Sequence, residues 1–327
     1  MEYMAKGDLK TVKNEYLEYL EIERSRAAKT IENYGRYLDR FIRFAHSAGS
    51  TSSPQASSGQ AKDMDVSGVT EELIRQYRLH LNRITDDHGE SLKRVTQNYH
   101  IIALRNLLKY LAKRGIRCVP AERVELGKQE DRQVSFLEPQ ELERFLQGPQ
   151  GSELAVLRDR AILNMLFSTG MRVSELCSLN RDTVDLNRGE VTVRGKGGKI
   201  RPVFLSDDAR EHTKTYLAKR PDADEALFIR IPKHQAFSKA TGLRLTPRSV
   251  QRIVAKYAVR AGIMGKKVSP HTLRHSFATD LLRGGADIRS VQALLGHSSV
   301  TTTQIYTHVT DKGLRDVHKK FHHRRQA

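Results

Sequence analysis

The amino-acid sequence predicts a mainly α-helical protein with one small β-sheet, built as an all-helical first domain followed by an α+β second domain. Three observations carry that expectation. Apolar residues recur at helical spacing through most of the first 114 positions. Two short β-branched runs, EVTVRG and KIRPVFL, flank a glycine turn. Between these regions the stretch GIRCVPAERVELGKQEDRQVS is charged and aperiodic, as a linker would be. At 327 residues the chain has room for two domains of ordinary size, here residues 1–130 and 131–327.

In order along the chain, Leu9, Val12, Tyr16, Leu17 and Leu20 mark a first helix, and Ile31, Tyr34, Leu38, Phe41, Ile42 and Ala45 a second. Residues 47–68 are crowded with Ser, Gly and Ala, which predicts a flexible loop. Thr70 is a candidate N-cap for a helix with Leu73, Tyr77 and Leu81 on one face. A fourth helix is expected from about Ser91 to Arg114, with Val95, Ile102, Leu104, Leu107, Leu108 and Leu111 apolar. Its first half brings Lys93, Arg94, Gln97 and Asn98 close together. That cluster suits a helix lying in a DNA groove, and it equally suits an ordinary solvated face.

In the second half Pro139 opens a helix through Leu146, RDRAILNMLFSTG forms a buried helix ending at Gly170, and MRVSELCSL follows as a short one. The hairpin comes next, with Lys196, Gly197 and Gly198 in its turn. Helices resume at Thr246-Pro247, Ser269-Pro270 and Asp287; Arg248 and Arg252, in the first of these, are further candidates for DNA contact. No internal repeat is present.

Fifty-six Lys plus Arg against 38 Asp plus Glu leave a net charge of +18, and such a field attracts polyanions, nucleic acid above all. The excess is uneven: residues 1–135 hold 23 basic and 19 acidic side chains, residues 136–327 hold 33 and 19. The second half is therefore expected to meet the polyanion most closely. No run approaches the apolar length of a membrane span, and the N-terminus has no signal-peptide core, so membrane spanning and secretion are not expected. Cys118 and Cys177 are too isolated for a disulfide framework or a zinc site and read as reduced cytosolic thiols. A phosphate-binding Walker loop, a Gly-x-Ser-x-Gly elbow and a His-Glu-x-x-His helix are all missing. GKGGK has the wrong spacing for a phosphate loop, and His322 and His323 show no ligand pattern. No metal site and no cofactor are expected.

What remains is an ordered series in the basic half: TGMRVSEL with Arg172 and Glu175, GKGGK with Lys196, HTLRH with His271 and Arg274, LLGH with His297, and TTTQIYTH with Tyr306. In this order, with a histidine nine residues before the tyrosine, the series resembles the tyrosine recombinase (phage integrase) family. Within that family LGHSSVTTTQIYTHV is most similar to the Xer recombinases. The residue types fit the chemistry. A phosphodiester under attack gathers charge on its non-bridging oxygens, and two guanidiniums, Arg172 and Arg274, can clamp it with forked hydrogen bonds. His271 lies one helical turn before Arg274 and is the candidate general base. Tyr306 needs nearby cations to lose its proton at neutral pH, and its attack would leave a covalent phosphotyrosine that religates without ATP.

The resemblance implies more. It gives Lys196 the role of general acid, with Lys199 as its rival, and His297 a hydrogen bond to a phosphate oxygen. Glu175 is read either as orienting the site or as a plain intrahelical ion pair. The first domain resembles the family's SAM-like core-binding domain. The tail stripe of Leu314, Val317 and Phe321 suits exchange of a C-terminal segment between protomers. The expected partner is double-stranded DNA with a paired inverted-repeat site, bound by a homotetramer that exchanges strands through a Holliday junction, in the cytoplasm at the nucleoid and off the membrane. The first core helix is expected to begin near Leu9, so the arm-binding domain of larger phage integrases is not expected. Resolution of chromosome or plasmid dimers is the leading role. The alternatives are a mobile-element integrase, a type IB topoisomerase-like enzyme and a catalytically silent DNA-binding protein.

Overall fold

A computed structural model describes residues 8–50, 64–85, 89–128, 135–195, 198, 200–232, 237 and 242–296. The chain divides into two compact units, Met1–Asp131 and Arg132–Ala327.

The first unit is wholly helical among its described residues. α1 (Leu9–Ile22) starts at Asp8, whose carboxylate accepts the Thr11 backbone N–H at 2.6 Å and so satisfies a donor that a helix start leaves unpaired. α2 (Ala28–Ser50) packs on α1 and on α4 (Arg94–Lys113); α3 (Glu71–Arg83) opens at Thr70, which accepts from Leu73 N–H at 3.1 Å. Tyr16, Leu38, Phe41, Tyr77, Leu81, Leu104 and Leu107 form the core. The Tyr77 hydroxyl is satisfied by His100 Nδ1 at 3.1 Å. Burial, with the charge of Arg40, holds the His100 pKa down to about 4, so this imidazole is a neutral core group.

Three expectations for this unit are corrected. The loop expected over residues 47–68 is shorter at both ends. α2 runs to Ser50 because Phe44 and Ala48 still pack on the core, while Val66 and Val69 are buried and the Met64 carbonyl accepts from Leu9 N–H at 2.9 Å. Residues 51–63 lie outside the described part. α4 begins at Arg94, not near Ser91, and its core contact is Ile101 and not Ile102. Asn98, expected on an open DNA-facing surface, is buried: its amide donates to the Gly127 carbonyl at 2.9 Å, and its carbonyl accepts from Gly127 N–H at 2.9 Å. Both functions of the side chain are thus used as a substitute strand partner for the chain leaving the first unit.

In the second unit α5 (Pro139–Leu146) has Pro139 in its first turn, where no N–H is needed, and Glu141 accepts from Glu138 N–H at 2.9 Å. α6 (Leu154–Thr169) is apolar on nearly all sides and forms the centre of the core, with α8 (Asp207–Ala218), α9 (Pro247–Arg260) and α10 (Pro270–Arg283) against it. A short α7 (Val173–Ser178) follows α6 directly, and α11 (Ile288–Leu295) packs on α10. The sheet has three antiparallel strands in the order β1 (Val184–Asp185), β2 (Glu190–Arg194), β3 (Ile200–Phe204), one short strand more than the hairpin expected from sequence. Val191 faces Val203 and Val193 faces Arg201 across the β2–β3 ladder.

α6 ends at Gly170 in the left-handed conformation, φ +57°. A Cβ there would overlap the ring of Phe277 and lie 3.1 Å from Leu295. Gly170→Ala is therefore expected to cost about 2 kcal/mol or more from backbone strain and overpacking together, read from the midpoint of urea unfolding.

Candidate active site

The turn after Gly170 places Arg172 at the N-cap of α7, with extended backbone angles of φ −72° and ψ 149°. Glu175, three residues on, accepts the Arg172 backbone N–H at 2.8 Å and the Arg172 guanidinium at 2.9 Å. It is also met from β3. Arg201 donates Nη1 to Glu175 Oε1 at 3.0 Å and Nη2 to Oε2 at 2.9 Å, a forked pair. The Glu175 side chain is only 3% exposed, against 29% for Arg172 and 12% for Arg201. Burial pushes its pKa up, but the hydrogen bonds and charges of Arg201 and Arg172 outweigh this and leave it below the usual carboxylate value. Glu175 is thus more than an intrahelical ion pair: it joins α7 to the hairpin.

α10 is started by Ser269, which accepts from Thr272 N–H at 3.3 Å, and by Pro270 at its first position. This sets His271 in the exposed first turn and Arg274 one turn deeper, where it is buried. Arg274 donates Nη1 to the Gly170 carbonyl and Nη2 to the Leu295 carbonyl, each at 2.5 Å. Those carbonyls belong to the C-terminal ends of α6 and α11, which lack intrahelical donors and carry partial negative charge. One guanidinium therefore ties α10 to the residue two before Arg172 and to the residue two before His297. The structure brings Arg172, Glu175 and Arg274 to one region and places His271 at the start of the same helix as Arg274.

Lys196, Lys199, His297 and Tyr306 lie outside the described residues, as does the tail stripe of Leu314, Val317 and Phe321; the described flanks of the hairpin turn are Arg194 and Ile200. Two other tyrosines are set aside by their surroundings. Tyr257 donates to Asp159 at 3.1 Å, and burial with that carboxylate pushes its pKa up to about 12. Tyr216, fully buried, accepts from Ile229 N–H at 3.3 Å, and burial raises its pKa too. Both are core groups and unsuited to losing a proton near pH 7.

Of the expected DNA contacts, Lys93, Arg94, Arg248 and Arg252 are exposed. Gln97 is half-buried and donates to the Leu92 carbonyl at 2.7 Å. Arg94 and Gln97 line a cleft of about 310 Å³ with Arg75 and Arg78 of α3. Sequence reasoning missed Arg36, Arg40 and Arg43, a basic stripe along α2 whose four- and three-residue spacing was visible in the sequence. It also missed Arg201. The signal for Arg201 was a charged residue at an inward position of a strand whose other inward residue is Val203. Among the described residues no three His, Cys, Asp or Glu gather as metal ligands, and no helix is long and apolar enough to cross a membrane.

Comparison with known proteins gives these features a common setting. Residues 135–312 match the model of the phage integrase family, and residues 14–115 match that of the phage integrase N-terminal SAM-like domain. The tyrosine recombinase XerC of Thermodesulfovibrio yellowstonii is 34% identical over 308 residues, 94% of each chain. The tyrosine recombinase XerD of Mycobacterium tuberculosis strain H37Rv is 38% identical over 316 residues, covering 92% of this chain and 94% of its own. In fold the chain is similar to a crystal structure of XerH site-specific recombinase bound to a palindromic difH substrate, with TM-score 0.65 and 24% identity over 95% of this chain and 85% of that one. A helical first unit, a second unit of helices with a small sheet, two arginines held by one buried glutamate, and near full-length similarity to recombinases lead to one conclusion. The chain belongs to the phage integrase family and is a tyrosine site-specific DNA recombinase.

Proposed function

We propose that this recombinase breaks and rejoins DNA by attack of Tyr306 on a scissile phosphate, giving a 3'-phosphotyrosine, and resolves chromosome or plasmid dimers as Xer enzymes do. The observation that supports it best is the double hold of Arg274 on Gly170 and Leu295 beside the Arg172–Glu175 pair. Arg172 and Arg274 are the candidate clamp on the non-bridging oxygens, where charge grows in the transition state. His271 moves the tyrosine proton, and His297, two residues beyond the carbonyl that Arg274 holds, donates to a phosphate oxygen. Lys196 protonates the leaving 5'-oxygen, which departs as the 5'-hydroxyl. Glu175 keeps Arg172 in place. The phosphotyrosine conserves the energy of the broken ester, so the 5'-hydroxyl of the partner strand restores the bond without a nucleotide.

Lys93, Arg94, Arg248 and Arg252, with the α2 stripe, supply the sequence-independent attraction to phosphate. Four copies exchange strands between two inverted-repeat sites through a Holliday junction, each passing its C-terminal segment to a neighbour. The enzyme works in the cytoplasm, at the nucleoid. Relatives named both XerC and XerD support dimer resolution over integration of a mobile element.

The experiment is covalent trapping in EDTA. Wild type and Tyr306→Phe are incubated with labelled, nicked genomic fragments, denatured, and examined for DNA linked to protein. A wild-type adduct on the 3' phosphate at a preferred site, missing in Tyr306→Phe, is expected. An adduct that survives in Tyr306→Phe would show that the nucleophile is another residue.

A further inference from the structure

Arg201 stands where a strand has no use for a charge. In the β2–β3 ladder it lies directly opposite Val193, as Val203 lies opposite Val191, and residues facing each other across a ladder share one side of the sheet. Val191, Val193 and Val203 are each 1% exposed, so Arg201 is on the buried side. A guanidinium there is costly unless it is paired and hydrogen-bonded.

It is paired three ways. Its two Nη groups grip both oxygens of Glu175, and its Nε donates to the Leu294 carbonyl at 3.1 Å, on the last turn of α11. It also lies flat against Gly296, the left-handed residue that ends α11 at φ +63°: a Cβ on Gly296 would come within 3.0–3.2 Å of Arg201 Cδ, Nε and Cζ. One side chain therefore joins three segments. The first is the hairpin whose turn contains Lys196, the second is α7 with Arg172, and the third is the end of α11 that leads into His297.

We infer that Arg201 is a positioning residue for strand cleavage, holding Glu175 so that Arg172 is aimed at the scissile phosphate while it fixes the end of α11. Arg201 itself does not touch DNA in this scheme. Its geometry is specific to arginine, because a lysine ammonium is a single point and cannot span two carboxylate oxygens and a carbonyl together. The inference rests on the recombinase reading of the site and adds to it the residue that aligns the clamp.

The test separates aim from fold. Arg201→Ala and Arg201→Lys are compared with wild type for thermal unfolding, for affinity to a nicked duplex carrying the trapped site, and for the single-turnover rate of adduct formation. Each rate is measured on an ordinary scissile phosphate and on a methylphosphonate, which lacks one negative oxygen and so depends less on a guanidinium clamp. Both variants are expected to bind DNA within about 3-fold of wild type and to cleave the phosphate about 10- to 100-fold more slowly, the range for losing preorganised charge stabilisation. The loss on the methylphosphonate is expected to be at least about 5-fold smaller, shifting the ratio in the same direction as is expected of Arg172→Ala, measured alongside. Equal losses on both substrates would mean that Arg201 only supports the fold, and full recovery by Arg201→Lys would mean that a bare charge suffices. Either result overturns the inference while wild type still forms its adduct. Wild type without an adduct overturns the recombinase reading itself, and this inference with it.

Discussion

Arg274→Ala is expected to lower the single-turnover rate of adduct formation by about 1000-fold or more, since the change removes one arm of the proposed phosphate clamp and also loosens the site. In this structure the guanidinium is buried and holds the carbonyls of Gly170 and Leu295. Removing it leaves the ends of α6 and α11 without that donor and leaves a cavity in their place, at a cost of about 1–3 kcal/mol for each unsatisfied buried group. The stretch that leads to His297 begins at one of those ends. Arg274→Lys restores the charge but reaches only one carbonyl, so it is expected to recover little of the rate. Affinity for nicked DNA, measured in the same salt, is expected to change far less than the rate. A rate within about tenfold of wild type would remove Arg274 from the clamp.

Glu175→Ala has its largest effect on stability. The substitution leaves Arg201, 12% exposed, beside Arg172 with no counter-charge, and breaking one side of a buried ion pair costs about 3–5 kcal/mol. Glu175→Gln keeps the shape and loses the charge, so it is expected to fall between wild type and Glu175→Ala. The effect depends on pH with a definite sign. The carboxyl of Glu175 titrates below the ordinary carboxylate value of 4.5 when folded, so its contribution is complete above that value and is lost as pH falls through the folded pKa. Urea unfolding at pH 7 is thus expected to separate wild type from Glu175→Gln, and the gap is expected to narrow below pH 4.5. A gap that stays constant down to pH 3 would show that the charge of Glu175 contributes nothing to folding.

Helix starts and stops were legible because their signals sit within a few residues. Thr70, Pro139, Ser269 and Asp287 each cap or open the helix that their sequence context predicts, and Gly170 ends α6 as its neighbours require. The same holds for the two β-branched runs, which pair as β2 and β3. The ordered series of Arg172, Glu175, Lys196, His271, Arg274, His297 and Tyr306 was legible in another way, as motifs whose order resembles the tyrosine recombinase family.

Local pattern failed where a side chain's partner is distant along the chain. Asn98 looks like a base-reading amide on a basic helix, yet its two hydrogen bonds go to Gly127, 29 positions on. Arg201 looks like one more cation in a basic hairpin, yet it bonds Glu175 across 26 positions and Leu294 across 93. The expected loop over residues 47–68 shrank because Phe44, Ala48, Val66 and Val69 find core contacts that serine and glycine content does not reveal. By itself, then, the sequence determined the net charge, which is a count, and the helices and the hairpin, since each of those elements depends on neighbours within a turn or a strand. Only the tertiary structure decided which polar groups are satisfied within the protein, because a buried donor or acceptor must be paired and packing alone brings its partner within reach.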